Sequence, residues 1–286
     1  ISLNPNFADA YYNMGNVLKD QGKLDEAIEA FNKAISLKPD YADAYSNMGN
    51  ALKDQGKLDE AIEAYNKAIS LKPDYADTYN NMGVTLQDQG KLEKAIVACK
   101  KAISLKPNFA DAYYNMGNVL KDQGKLEEAI EAYNKALSLK PDYAEVYSNM
   151  GLALQDQGKL DQAITAYNKA LSIKPNYADA YYNMGNVLKD QGKLDEAIEA
   201  FNKSISLKPD YADAYSNMGN AFKDQGKLDE AIEAYKKVIL LKPDYAEVYN
   251  NMGIALKSLD KINEAIYVYN KAISLKPDYA EAYSNI

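Results

Sequence analysis

Nine prolines divide the chain into equal lengths. Pro5, Pro39, Pro73, Pro107, Pro141, Pro175, Pro209, Pro243 and Pro277 follow one another at intervals of 34 residues. A fixed period of this length signals an array of like supersecondary units, each contacting its neighbours, rather than a domain with one central core. With Ala8 as position 1, eight complete repeats run 8–41, 42–75, 76–109, 110–143, 144–177, 178–211, 212–245 and 246–279. Residues 1–7 read as the tail of a preceding repeat and 280–286 as the start of a further one, so residues 1–286 are expected to form a single array cut from a longer protein.

Each repeat carries the pattern of two helices. In the first, Tyr11, Met14, Gly15 and Leu18 recur at i, i+3, i+4 and i+7. In the second, Leu24, Ala27, Ile28, Phe31, Ala34, Ile35 and Leu37 mark an apolar stripe. Gly22, in the intervening "DQGKLDE", suits a left-handed residue just past the first helix, and Asp260 takes that place in the eighth repeat. Asp40 followed by Asp43 resembles a capping box opening the next first helix. On a helical wheel the buried stripe of the first helix is positions 4, 7, 8 and 11, with positions 2, 5, 6, 9 and 13 opposite. One helix pair cannot bury its apolar faces alone, so the expected fold is all-α, a solenoid of stacked helix-turn-helix units.

Tyr11-x2-Met14-Gly15-x2-Leu18, then Ala27-x3-Phe31, Ala34 and Pro39, resembles the tetratricopeptide-repeat signature along the whole chain. The departures are mild, with Tyr and Met standing where the pattern often has Trp and Leu. The resemblance implies a right-handed superhelix with first helices lining a concave face, and a role in holding other proteins.

The polar positions of that face carry the functional expectation. Position 6 is Asn13, Asn47, Asn81, Asn115, Asn149, Asn183, Asn217 and Asn251, with Asn285 beginning a ninth row. Asn costs roughly 0.5 kcal/mol or more against Ala inside a helix. Its amide offers donors and an acceptor on one planar group and can pair with a peptide unit. A ladder of such amides would grip an extended chain by its backbone; the competing account is packing between neighbouring helices. Position 9 adds Asn16, Asn50, Asn118, Asn186 and Asn220, replaced by Val84, Leu152 and Ile254 elsewhere, and position 5 adds Tyr12, Tyr114 and Tyr182 as interface anchors. Similar residues return five repeats apart, as if a block had been duplicated. "FADAYYNMGNVLK" (Phe7 to Lys19) also resembles the repeat region of the O-linked N-acetylglucosamine transferases. That resemblance implies asparagines gripping a substrate backbone, with the catalytic domain of that family absent from this chain.

Composition narrows the partners. The net charge is −8 and no basic stripe exists, so nucleic acid is not an expected ligand. Position 2 is acidic throughout, from Asp9 to Glu281, favourable at a helix N-terminus and a candidate rail for basic peptides. The chain has no histidine and one cysteine, Cys99, so neither a disulfide nor a zinc site of the usual kind is expected, and no cofactor. No apolar run is long enough to span a membrane. The expectation is a non-enzymatic scaffold for protein or peptide segments, cytoplasmic or nucleocytoplasmic. The alternatives are end-to-end stacking of copies into a homo-oligomer and a recruiting region of a larger glycosyltransferase.

Overall fold

The computed structural model describes residues 6–286; Pro5 and the rest of the expected leading tail up to residue 5 lie outside the described residues. The described chain is built from helix pairs: α1 (Asn6–Asp20) with α2 (Leu24–Leu37), α3 (Ala42–Asp54) with α4 (Leu58–Leu71), α5 (Ala76–Asp88) with α6 (Leu92–Leu105), and α7 (Ala110–Asp122) with α8 (Leu126–Leu139). The same order continues with α9 (Ala144–Asp156) and α10 (Leu160–Ile173), α11 (Ala178–Asp190) and α12 (Leu194–Leu207), α13 (Ala212–Asp224) and α14 (Leu228–Leu241), α15 (Ala246–Ser258) and α16 (Ile262–Leu275), and a short α17 (Ala280–Asn285). The fold is all-α and solenoidal in its local packing. The chain divides into two compact units, Ile1–Asp142 and Tyr143–Ile286.

Within each unit, a first helix packs on its own second helix, on the second helix before it, and on neighbouring first helices. No second helix reaches the next second helix among the described residues. First helices therefore form a close-packed face, and second helices stand apart with a first helix at the floor between them.

The turn inside each repeat follows from one residue. Gly22 has φ +74°, and the Gly22 and Lys23 amides donate to the Lys19 and Leu18 carbonyls, both at 2.9 Å, which closes the first helix in a Schellman motif. Asp260 adopts φ +59° in the eighth repeat and keeps the same bonds, with the Lys261 amide 3.0 Å from the Leu256 carbonyl. Asp visits this region at some steric cost that glycine avoids.

Two local expectations are corrected. The capping box does not form: Tyr41, not Asp40, is the N-cap of α3, and no side chain caps it. The burial of the first helices is also wider than one stripe. From the second repeat on, positions 3 and 10, such as Ala44 with Ala51 and Val146 with Ala153, are fully buried, whereas Ala10 and Val17 of the first repeat are exposed. Position 5 is buried where it is Ser46, Asn80, Ser148, Ser216 or Asn250, rather than facing an open groove. The cause is that a first helix has neighbours on three sides, so its solvent face contracts toward positions 2, 6, 9 and 13.

Candidate functional site

The asparagine row lies on this narrowed polar face. Asn13 is exposed, while Asn47, Asn81, Asn115, Asn149, Asn183, Asn217 and Asn251 are half-buried. Most of these amides point back to the preceding repeat. The Asn47 amide nitrogen donates to the Tyr12 hydroxyl at 2.9 Å and to the Asn16 Oδ1 at 2.8 Å. Asn217 repeats this with Tyr182 at 3.1 Å and Asn186 at 2.8 Å. Where position 5 is serine, position 9 alone accepts: Asn81 donates to Asn50 at 3.0 Å and Asn251 to Asn220 at 3.2 Å. Where position 9 is apolar, position 5 accepts instead: Asn115 donates to Asn80 at 2.9 Å and Asn285 to Asn250 at 3.0 Å. Asn149 is not free either.

The fifth repeat breaks the rule. It offers Ser148 and Leu152, hence neither a tyrosine nor an asparagine, to the row that follows. The Asn183 side chain accordingly makes no hydrogen bond or ion pair among the described residues. Asn47 and Asn217 have both amide hydrogens engaged and can offer a ligand only an acceptor.

Position 9 has a second duty beneath the surface. The buried tyrosine at position 24 donates to it within the same repeat: Tyr65 to Asn50 at 2.9 Å, Tyr133 to Asn118 at 2.8 Å and Tyr235 to Asn220 at 2.8 Å. Leu152 and Ile254 cannot accept, and the buried Tyr167 and Tyr269 hydroxyls have no protein partner. Burial raises the pKa of all these phenols, so they remain neutral. Tyr133→Phe is therefore expected to cost about 1 kcal/mol and Tyr167→Phe to be neutral or stabilising. Urea unfolding of the two variants checks the contrast.

The other predicted groups are occupied locally. Tyr12 and Tyr182 pack at a tilt against the rings of Tyr41 and Tyr211, with centroids 5.0 and 4.8 Å apart, and Tyr114 lies 6.3 Å from Tyr133. Asn16, Asn50, Asn118, Asn186 and Asn220 are half-buried. The position-2 acids tie down the end of their own repeat. Burial, together with Asp9 and Asp43 beside them, raises the pKa of the Tyr41 and Tyr75 phenols, and Lys174 and Lys242 pair with Glu145 and Asp213 at 2.9 and 3.0 Å. These pairs are solvent-exposed and contribute little stability. Cys99 is buried, and desolvation pushes its thiol up to about 12, which makes it a poor nucleophile. No helix among the described residues is long and apolar enough to cross a membrane.

Comparison with known proteins bears on this geometry. Residues 6–216 match the family described as the C-terminal domain of cilia and flagella-associated protein 70. Residues 200–233, 219–260 and 246–279 match tetratricopeptide-repeat families. A search of curated proteins gave no match. Among solved structures, MamA is 31% identical, with 58% of this chain and 97% of that chain covered at a TM-score of 0.55. YrrB, described as a TPR protein with an unusual peptide-binding site, is 27% identical, with 65% of this chain and 96% of that chain covered at a TM-score of 0.58. The Cut9–Hcn1 structure shares the fold at 20% identity, with 92% of this chain and 52% of that chain covered at a TM-score of 0.65.

Proposed function

The chain belongs to the tetratricopeptide-repeat family, and from that premise we propose that it is a non-enzymatic scaffold holding extended segments of other proteins against its first-helix face. The observation that carries this reading is Asn183. It sits in a row where Asn47, Asn81, Asn115, Asn217 and Asn251 are bonded to the preceding repeat, and its own donor and acceptor are both unengaged among the described residues. A planar amide in that state can meet the C=O and N–H of one peptide unit. Leu152, half-buried in the preceding repeat, adds apolar surface for a neighbouring side chain. The other asparagines contribute acceptors in register along each unit. The peptide-binding site described for YrrB, 27% identical to this chain, supports peptide capture.

The test is an array of unstructured synthetic peptides, followed by calorimetric titration of the strongest binders. Asn183→Ala is expected to weaken binding on the order of tenfold, about 1.4 kcal/mol. Leu152→Asn should do the same by supplying the missing acceptor and closing the Asn183 amide into the stack. Native affinity in both variants would sink the proposal.

A further inference from the structure

The second helices stand apart, and each gap between them exposes part of a first helix. The gap between α4 and α6 differs from the rest. Its floor is Tyr79, Met82 and Leu86 of α5, its near wall includes Ile62 of α4, and its volume is about 570 Å3. The equivalent gap at the sixth repeat, about 650 Å3, has the same apolar floor in Tyr181, Met184 and Leu188, but Glu196 and Glu199 line its wall. At the third repeat those two places are Lys94 and Val97. Val97 is 68% exposed, a valine held in water on a helix face where five other repeats carry glutamate.

The charge inverts with this change. α6 carries Lys94, Lys100 and Lys101 against Glu93, whereas α4 carries Asp59, Glu60 and Glu63 against Lys67. Among the described second helices α6 alone has net positive charge, in a chain whose total is −8. Lys94 and Lys101, both in the wall of the gap, have no ion-pair partner among the described residues.

We propose that the gap between α4 and α6 is a second docking site, which takes an acidic segment of a partner protein and seats a leucine-sized side chain against Val97, Ile62 and Met82. Charge complementarity selects this occupant. Among the gaps at the first, third, fourth and sixth repeats, only this one is lined by more lysines (Lys91, Lys94, Lys101) than acids (Glu93), so it attracts such a segment where the Glu26/Glu29 and Glu196/Glu199 walls repel it. The methionine floor adapts to the shape of the inserted side chain. Two helices flanking an apolar floor give the geometry of helix-in-groove recognition. The site lies on the opposite side of α5 from Asn81, so it stands independently of the asparagine row.

Fluorescence anisotropy with labelled synthetic peptides tests it. One peptide carries a leucine pair flanked by glutamates, a twin has glutamine for each glutamate, and another has serine for each leucine. The first is expected to bind, each twin at least about tenfold more weakly, with binding weakened further by salt. Lys94→Glu combined with Val97→Glu should abolish binding without unfolding, since glutamate occupies both places in other repeats. The reciprocal change, Glu196→Lys with Glu199→Val, should create a second site and raise the stoichiometry from one peptide to two. The proposal is overturned if the glutamate–leucine peptide does not bind, if its twins bind equally, or if the K94E/V97E protein binds as the native one does. Sedimentation showing self-association that K94E/V97E abolishes would overturn it in favour of a second copy as the occupant.

Discussion

Gly117→Ala is expected to destabilise the first unit by about 1–3 kcal/mol, the range for overpacking a filled core. A Cβ at Gly117 would stand 2.5 Å from Cε1 and 2.7 Å from Cδ1 of Tyr133. The ring is completely buried and its hydroxyl is bonded to Asn118, so it has no empty space to move into. Either the ring leaves its rotamer or α7 and α8 separate, and separation weakens the closest contact in the repeat. Gly83→Ala provides the control. There the added Cβ meets the Sγ of Cys99 at 2.8 Å, with the Ala95 carbonyl oxygen at 3.4 Å. A single sulfur shifts more readily than a ring, so Gly83→Ala should cost less. Urea unfolding, with amide exchange to locate the loss, measures both. The packing account is wrong if the two substitutions cost the same, or if Tyr133→Leu fails to rescue Gly117→Ala.

The glycine at position 8 and the ring at position 24 were legible in the sequence as members of two periodic stripes, and so were the helix pairs and the left-handed turn that Asp260 inherits; the direct contact of glycine and ring was not. The burial of Ala44, Ala51 and Ser46 was not. A helical wheel assigns one buried stripe, and alanine or serine on the remaining face looks neutral. Only the third and fourth neighbours of a first helix, which the wheel does not contain, bury them. A trace was present all the same: position 3 varies among Ala, Thr and Val and position 10 among Ala, Val and Thr, always small and never charged. The asparagine row was legible as a polar position repeated along the first helices, but its hydrogen-bond partners were hidden because position 6 bonds to residues 31 or 35 places earlier. Those acceptors alternate between two positions, so neither position alone is constant. Comparing them together exposes the fifth repeat, where Ser148 and Leu152 leave both Asn183 and Tyr167 without the partners that other repeats supply.

This division of labour makes Asn217→Ala and Asn183→Ala behave oppositely. Asn217 donates to Tyr182 at 3.1 Å and to Asn186 at 2.8 Å, so removing its amide breaks two bonds between α11 and α13. It also leaves two half-buried acceptors, and the expected cost is about 1–3 kcal/mol of stability in the second unit. Asn183 makes no comparable bond among the described residues, and alanine is the better helix former. Asn183→Ala should therefore be neutral or slightly stabilising, within about 0.5 kcal/mol. Urea unfolding midpoints, with amide exchange followed in α11 and α13, compare the two. Equal stability losses would mean that the inter-repeat bonds do not hold the stack. A loss at Asn217 with none at Asn183 separates asparagines that hold helices from one that is free to hold a ligand, and makes Asn183→Ala a clean probe of binding because folding is left intact.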